Sequence, residues 1–152
     1  MEKEDIRQRL VAIEPDMVRL AHAFTPTDNA AVAELTRDED ARTRANAFTV
    51  QSLVDPEAFI ENYPRAAADP SELVRMQALI SIDHLTVEEA MRLGATTRQL
   101  LDDPYPGVRK RAITASRKSR DEATAEVLTR LAATDELAFI RELARDVSAN
   151  LR

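Results

Sequence analysis

The sequence predicts an all-α fold in which antiparallel helix pairs stack into a solenoid. A short motif recurs along the chain at intervals of about 33 residues, which is typical of helical repeat proteins. The chain has only 2 glycines, it is rich in Ala, Leu and Arg, and no stretch alternates polar and β-branched residues as a strand would. We therefore expect one domain, residues 1–152, with a helical cap at 1–24 and about four repeats over 28–152.

The recurring motif is an apolar residue, an arginine and, three residues after the arginine, an alanine. The first and last of these positions share one face of a helix, and a small alanine there lets the next helix approach closely. Aligned in this way, the arginines are Arg42, Arg75, Arg109 and Arg141. The preceding residues are Ala41, Val74, Val108 and Ile140, and the alanines are Ala45, Ala78, Ala112 and Ala144.

An aspartate stands six residues before the arginine in three of the copies. These aspartates are Asp69, Asp103 and Asp135. Each predicts a helix start, because a carboxylate accepts backbone N–H groups at an N-cap and favours the positive end of the helix dipole. The first copy departs from the pattern, since Thr36 stands in this place and Asp38 or Asp40 must substitute.

These residues resemble the HEAT repeats, helix-turn-helix units with an aspartate in the turn and a Val-Arg pair early in the second helix. The resemblance covers about residues 28–152. It implies a right-handed superhelix whose second helices line a concave binding surface. The phrases DPSELVRMQAL and DPYPGVRKRA also resemble the variant leucine-rich repeats of bacteria, which rank second because their period is shorter.

The N-terminal segment carries one continuous apolar stripe at helical spacing. Its members are Ile6, Leu10, Ile13, Met17, Leu20 and Phe24. Pro15 should kink this helix or divide it in two. A weaker fifth copy of the motif starts at Ile6-Arg7, with Leu10 in the alanine position. We interpret the stripe as a cap that closes the solenoid, with a dimerisation helix as the alternative, so the chain is a monomer or a homodimer through this helix.

The helix boundaries that follow are predicted from capping and breaking residues. Asp55-Pro56 places an N-cap before a proline at the first helical position, and Thr86 with Glu89 matches a capping box. Pro64 should bend or fray its helix, and Gly94 should break another. The predicted helices after the cap are 28–37, 39–53, one from 55, 69–83, one from 86, 106–118, 121–132 and 136–151.

Composition and charge exclude several classes of function. With no cysteine, the chain has no disulfide, thiolate nucleophile or Cys-based metal site. No apolar run reaches the length of a membrane span, and the charged start MEKEDIRQRL is unlike a secretory signal, so we expect a cytoplasmic protein that does not bind membranes. The net charge is −6, which disfavours general affinity for nucleic acid.

No pattern of residues predicts catalysis or cofactor binding. His22 and His84 are far apart in sequence and lack metal-ligand spacing. The acidic clusters fall at predicted helix starts, where capping explains them, and two glycines are too few for a phosphate-binding loop. We therefore expect neither an enzyme nor a cofactor.

One segment is strongly basic and contains no acidic residue. Its basic side chains are Arg109, Lys110, Arg111, Arg117, Lys118 and Arg120. Arg109 should pair with Asp103 or Asp69. For the others, the interpretations are a solvated helix face, a surface for an acidic protein and, third, a contact with phosphate or nucleic acid.

The candidate binding residues are this basic flank together with positions one and five after the motif arginines. They are Thr43, Met76, Ile80, Lys110, Thr114, Arg117 and Lys118. Met76 and Ile80 would suit an apolar partner surface, or else they pack against the preceding repeat.

The resemblance implies a non-catalytic scaffold that binds a protein or peptide along its concave face, and the basic flank favours an acidic partner. The alternative is a DNA-binding or DNA-repair protein, because a group of alkylpurine DNA glycosylases resembles stacked HEAT units. That function needs a basic groove, whereas this chain is acidic and lacks Trp. A third hypothesis is a helper subunit of a larger enzyme, bound through the N-terminal stripe.

Overall fold

The structure is a computed structural model that describes residues 1–11 and 17–151. Within these ranges all regular secondary structure is helical and no strand occurs, which confirms the all-α prediction. The predicted kink at Pro15 and the stripe residue Ile13 lie outside the described residues, as do the side chains of Met17 and Leu20.

The chain forms two compact units, Met1–Leu85 and Thr86–Arg152. The α-helices of the first unit are α1 (Lys3–Val11), α2 (Met17–Ala21), α3 (Asn29–Leu35), α4 (Ala41–Val54), α5 (Pro56–Ala67) and α6 (Glu72–Ser81). Those of the second are α7 (Val87–Met91), α8 (Gly94–Leu100), α9 (Pro106–Ala115), α10 (Thr124–Thr134) and α11 (Ala138–Asn150). Short 3₁₀ turns occupy Pro26–Asp28 and Ile82–His84.

Helix α4 is the centre of the first unit. It packs against α1, α2, α3, α5 and α6. One apolar cluster joins the N-terminal stripe to this helix, and its members are Ile6, Leu10, Phe24, Val32, Leu35, Ala47 and Val50. Ile6 and Leu10 are fully buried in this cluster. The described start of the stripe therefore packs into the core of its own unit.

In the second unit α11 packs on α10 and α9, and α8 packs on α9 and α10. The core is built from one apolar face of each helix and includes Val108, Ala112, Ile113, Leu128, Ile140, Ala144 and Val147. Gly94 is buried at the start of α8, against the backbone of Arg120 and Asp121. The predicted break is present, because α7 ends at Met91 and α8 begins at Gly94. The glycine is needed there because two backbone segments approach closely.

Several predicted caps are confirmed. The Asp55 carboxylate accepts the backbone N–H of Ala58 at 3.3 Å. Thr86 and Glu89 form the reciprocal capping box, with hydrogen bonds of 2.9 and 3.1 Å. Pro64 lies inside α5, which continues to Ala67, so this proline does not end the helix.

The register predicted for the first copy of the motif is two residues off, because Arg44 and not Arg42 occupies the arginine position. The Nη1 of Arg44 donates to the carbonyl of Asp38, six residues earlier, at 3.0 Å. Arg75, Arg109 and Arg141 make the same bond to the carbonyls of Asp69, Asp103 and Asp135, at 2.8, 3.0 and 2.7 Å.

In the corrected register every copy carries the same buried pair around its arginine. Thr43 and Ala47 flank Arg44 and are fully buried, like the apolar residues and alanines of the other copies. The sequence favoured Arg42 because a threonine, rather than Val or Ile, fills the apolar position. Asp38 now stands six residues before the arginine, so all four copies have the aspartate.

Candidate functional site

The strongest charged constellations of the chain are ion pairs between successive copies of the motif. Nε and Nη2 of Arg44 each donate to the Asp69 carboxylate at 2.9 Å. The same two atoms of Arg109 donate to Asp135, at 2.9 and 3.3 Å. We call these two pairs the inter-repeat pairs. Arg7 makes the corresponding contact to Asp38 through Nε, at 3.0 Å.

The prediction that Arg109 pairs with the carboxylate of Asp103 or Asp69 was therefore wrong. Its carboxylate partner is Asp135 of the following copy, while Asp103 contributes a backbone carbonyl and Asp69 is held by Arg44. The side chains of Arg109 and Asp135 are only 9% and 4% exposed. Since each is engaged by the other and by local backbone, this arginine does not belong to a partner surface.

The motif aspartates also organise the turns that precede α4, α6, α9 and α11. Each accepts, through Oδ1, the backbone N–H two residues later at 2.9 to 3.0 Å; these N–H groups belong to Asp40, Ser71, Tyr105 and Leu137. Those four residues are the N-caps. The predicted capping role is thus displaced: the aspartate lies two residues before the N-cap and closes an Asx turn.

The environment of Asp69 favours its charged form. Burial is the largest influence and by itself raises the pKa, but hydrogen bonds from Arg44 and from the Ser71 backbone outweigh it, so the pKa of Asp69 lies below its usual value. The same balance, with Asp40 N–H and Arg7 as donors, lowers the pKa of Asp38. Both carboxylates are stabilised anions within the fold.

The two histidines lie in different surroundings. Nδ1 of His84 lies 2.8 Å from Oγ of Ser52, but Ser52 is fully buried and its hydroxyl is also 2.6 Å from the Thr49 carbonyl. His22 is exposed, beside a shallow apolar cavity of about 220 Å³. Among residues 1–11 and 17–151, no three His, Asp or Glu side chains come together as metal ligands.

Thr43 is not on an exposed surface. It is fully buried, and its hydroxyl and backbone N–H both donate to the Asp40 carboxylate at 2.8 Å. Its selection as a binding residue followed from the misplaced register around Arg42. The structure assigns it to the N-terminal cap of α4.

The other candidate residues divide between the two units. Met76 and Ile80 are half-buried on α6 in the first unit. In the second unit Lys110, Thr114 and Arg117 are exposed along α9 and the residues just after it, whereas Lys118 is half-buried. We call Lys110, Arg111, Thr114 and Arg117 the α9 face.

The charges of the α9 face are only lightly engaged. Lys110 and Arg111 make no ion pair with a described side chain. Arg117 contacts Asp146 of α11 at 3.4 Å, and both of these side chains are more than half exposed. Thr114 donates to the Lys110 carbonyl, as threonines within helices often do. The face therefore presents cations that solvent or a partner can reach.

The sequence did not predict the surroundings of Arg141 on α11, in the second unit. Arg141 repeats the backbone bond of the other motif arginines, yet no described carboxylate contacts it. A groove of about 390 Å³ lies between α10 and α11 and is lined by Thr129, Ala132, Ala133, Arg145, Ser148 and Ala149. The spacing of the motif identified Arg141, but only the structure shows that Nη1 is bound to backbone while Nε and Nη2 contact no described carboxylate.

Neither a protein-family model nor a curated protein sequence matches this chain. None of the helices in the described ranges is both long and apolar enough to cross a lipid bilayer.

Proposed function

We propose that this chain is a non-catalytic, HEAT-like helical scaffold that binds an acidic protein or peptide, and that the α9 face is its contact surface. The observation that carries the proposal is the contrast between two classes of cation. Arg44 is half-buried and Arg109 is buried, and each is bound by an aspartate, whereas Lys110 and Arg111 are exposed and make no ion pair with a described residue. The cations of the inter-repeat pairs are engaged within the fold, whereas those of the α9 face are accessible to a partner.

The spacing along α9 suits an extended or helical acidic segment. Lys110 lies on α9 and Arg117 just after its end, seven residues later, and Thr114 lies between them in sequence as a neutral residue with a hydroxyl. A partner with two carboxylates at a similar separation could contact both cations at once. Because single exposed ion pairs contribute only about 0.2–1 kcal/mol, several contacts must act together for stable binding.

The contact between Arg117 and Asp146 is weak enough for a partner carboxylate to replace it. Both side chains are largely solvated, at 52% and 63% exposure, and their separation of 3.4 Å is long for a charge-assisted hydrogen bond. A partner carboxylate can replace Asp146 without exposing buried surface. Binding through Arg117 should therefore leave the fold of the second unit intact.

The solenoid arrangement of about four repeats is part of the same proposal. Its support is the recurrence of one pattern, an arginine that bonds its own turn and the next aspartate, once in the first unit at Arg44 and once in the second at Arg109. The proposal includes a cytoplasmic location for this chain and for its partner.

Affinity capture from a nuclease-treated lysate of the source cells tests the proposal. The baits are the native chain, the α9 variant Lys110→Glu/Arg111→Glu/Arg117→Glu, and a control, Arg37→Glu/Arg42→Glu, which reverses exposed charges in the first unit. We expect a discrete protein on the native and control baits that the α9 variant loses. Equal retention by all three baits contradicts the assignment of the α9 face.

A parallel capture without nuclease examines the nucleic-acid alternative. If DNA or RNA is retained, if salt releases it steeply and if the α9 variant abolishes the retention, the chain is a nucleic-acid-binding protein and our proposal is wrong.

A further inference from the structure

Arg141 is held in the same way as the arginines of the inter-repeat pairs. Its Nη1 donates to the Asp135 carbonyl at 2.7 Å, as Nη1 of Arg109 donates to Asp103 at 3.0 Å. This bond fixes one corner of the guanidinium against the turn before α11. The opposite edge, formed by Nε and Nη2, is then set in a defined direction.

In the two inter-repeat pairs this edge binds a carboxylate. Nε and Nη2 of Arg44 hold Asp69, and the same atoms of Arg109 hold Asp135. Around Arg141 no described carboxylate comes within 4.0 Å of the guanidinium. Arg141 thus keeps the backbone bond of the other two arginines, but its Nε–Nη2 edge has no carboxylate partner among the described residues.

We propose that the Nε–Nη2 edge of Arg141 binds an aspartate at the start of a helix in another protein. Parallel N–H groups of a guanidinium match a carboxylate in both geometry and charge. The two inter-repeat pairs show the ligand that this geometry accepts, which is an aspartate in the turn before a helix. The inference rests on the proposed function, partner binding, but places a contact away from the α9 face.

The surface beside Arg141 can accommodate such a helix. Arg145 follows one turn later on α11 and lines the groove between α10 and α11. The other side chains of that groove are small, namely Thr129, Ala132, Ala133, Ser148 and Ala149. Small side chains allow a helix backbone to approach closely, and Arg145 adds a second cation for an acidic partner.

A second copy of this chain is a poor source of the aspartate. Asp38, Asp69 and Asp135 are held by Arg7, Arg44 and Arg109. The remaining motif aspartate, Asp103, is also engaged in a contact. Self-association through Arg141 would therefore break an existing interaction, whereas binding an aspartate of a different protein would break no interaction within this chain.

The test uses the whole chain labelled with ¹⁵N and an unlabelled acetylated peptide of residues 135–151, whose aspartate is free of Arg109. We expect the Nε–H signal of Arg141 to shift saturably with this peptide. A peptide carrying Asp135→Asn should bind about tenfold more weakly, because it lacks the carboxylate. The variant Arg141→Lys keeps the charge without the fork and should lose affinity to a similar degree, whereas Arg37→Lys should not.

Equal binding of the aspartate and asparagine peptides, unchanged affinity of Arg141→Lys, or no shift at millimolar peptide each overturns the inference. The α9 variant Lys110→Glu/Arg111→Glu/Arg117→Glu separates the two proposals. It should keep the peptide if Arg141 is the site. Loss of the peptide from the α9 variant but not from Arg141→Lys overturns the Arg141 site and leaves the α9 face standing.

Discussion

Arg109 binds Asp135 through two hydrogen bonds, from Nε at 2.9 Å and Nη2 at 3.3 Å, while its Nη1 donates to the carbonyl of Asp103 at 3.0 Å. One side chain therefore joins the turn before α9 to the turn before α11. In the first unit Arg44 joins Asp38 to Asp69 in the same way. The recurrence of this geometry explains why the motif keeps both an arginine and an aspartate.

Loss of the Asp135 charge should destabilise the chain strongly. The substitution Asp135→Asn removes the buried carboxylate that binds the Arg109 guanidinium and leaves only the exposed Glu136 carboxylate, 3.9 Å away. We therefore expect a loss of about 3 kcal/mol in the free energy of unfolding. Urea denaturation at pH 7 measures it. The matched control is Asp102→Asn, whose partner Arg130 and own side chain are about half exposed, so that loss should stay below about 1 kcal/mol. Equal losses would contradict a structural role of the buried pair.

Stability should fall in acid, and Asp69 should account for part of the fall. Because the folded pKa of Asp69 is lowered from the unfolded value of about 3.9, its contribution is present above that pH and is lost as the pH falls through the folded pKa. The urea midpoints of the native chain and Asp69→Asn should differ at pH 7 and converge as the pH falls through the lowered folded pKa. A difference that is independent of pH would show that the Asp69 charge is not stabilised by folding.

The Gly94→Ala variant should be less stable than the native chain. A Cβ at this position would lie 2.3 Å from the carbonyl oxygen of Arg120 and 2.9 Å from the backbone nitrogen of Asp121. Backbone must move to relieve this overlap, at a cost of about 1–3 kcal/mol. Thermal unfolding measures it, with the exposed neighbour Ala95→Ser as a control that should change little. An unchanged melting temperature in Gly94→Ala would refute the close approach.

The Gln51→Met variant should be more stable. The Gln51 side chain is 1% exposed, and its amide oxygen and nitrogen have no hydrogen-bond partner among the described residues. Replacing an unsatisfied buried amide by an apolar side chain of similar size removes a desolvation penalty of about 1 kcal/mol or more. The comparison is Ser52→Ala, which removes satisfied bonds to Thr49 and His84 and should destabilise. A loss of stability in Gln51→Met would mean that the amide has a partner.

Local signals in the sequence predicted much of the fold. The caps at Asp55 and Thr86 are short-range patterns, and the structure confirms both. The N-terminal stripe was predicted from spacing alone, and Ile6 and Leu10 are buried as expected. Such features depend on residues within one or two turns of each other, so the sequence contains the needed information.

Features that depend on distant residues were missed or misplaced. The partner of Arg109 lies 26 residues away, and several aspartates at similar distances were equally plausible from the sequence. Thr43 was predicted to lie on a binding surface because a polar residue occupies the apolar position of this copy, and the register was misplaced as a result. In the structure Thr43 is buried. The open edge of Arg141 emerges only by comparison with Arg44 and Arg109 in three dimensions.

The most direct test of the α9 face is site-specific photo-crosslinking in the source cells. A benzophenone amino acid replaces Thr114, in the middle of the exposed face, or Ala125 on the exposed side of α10 as a control. The account predicts one discrete protein adduct from position 114 that is absent from position 125. It is contradicted if position 114 yields no protein adduct, or if both positions give the same products.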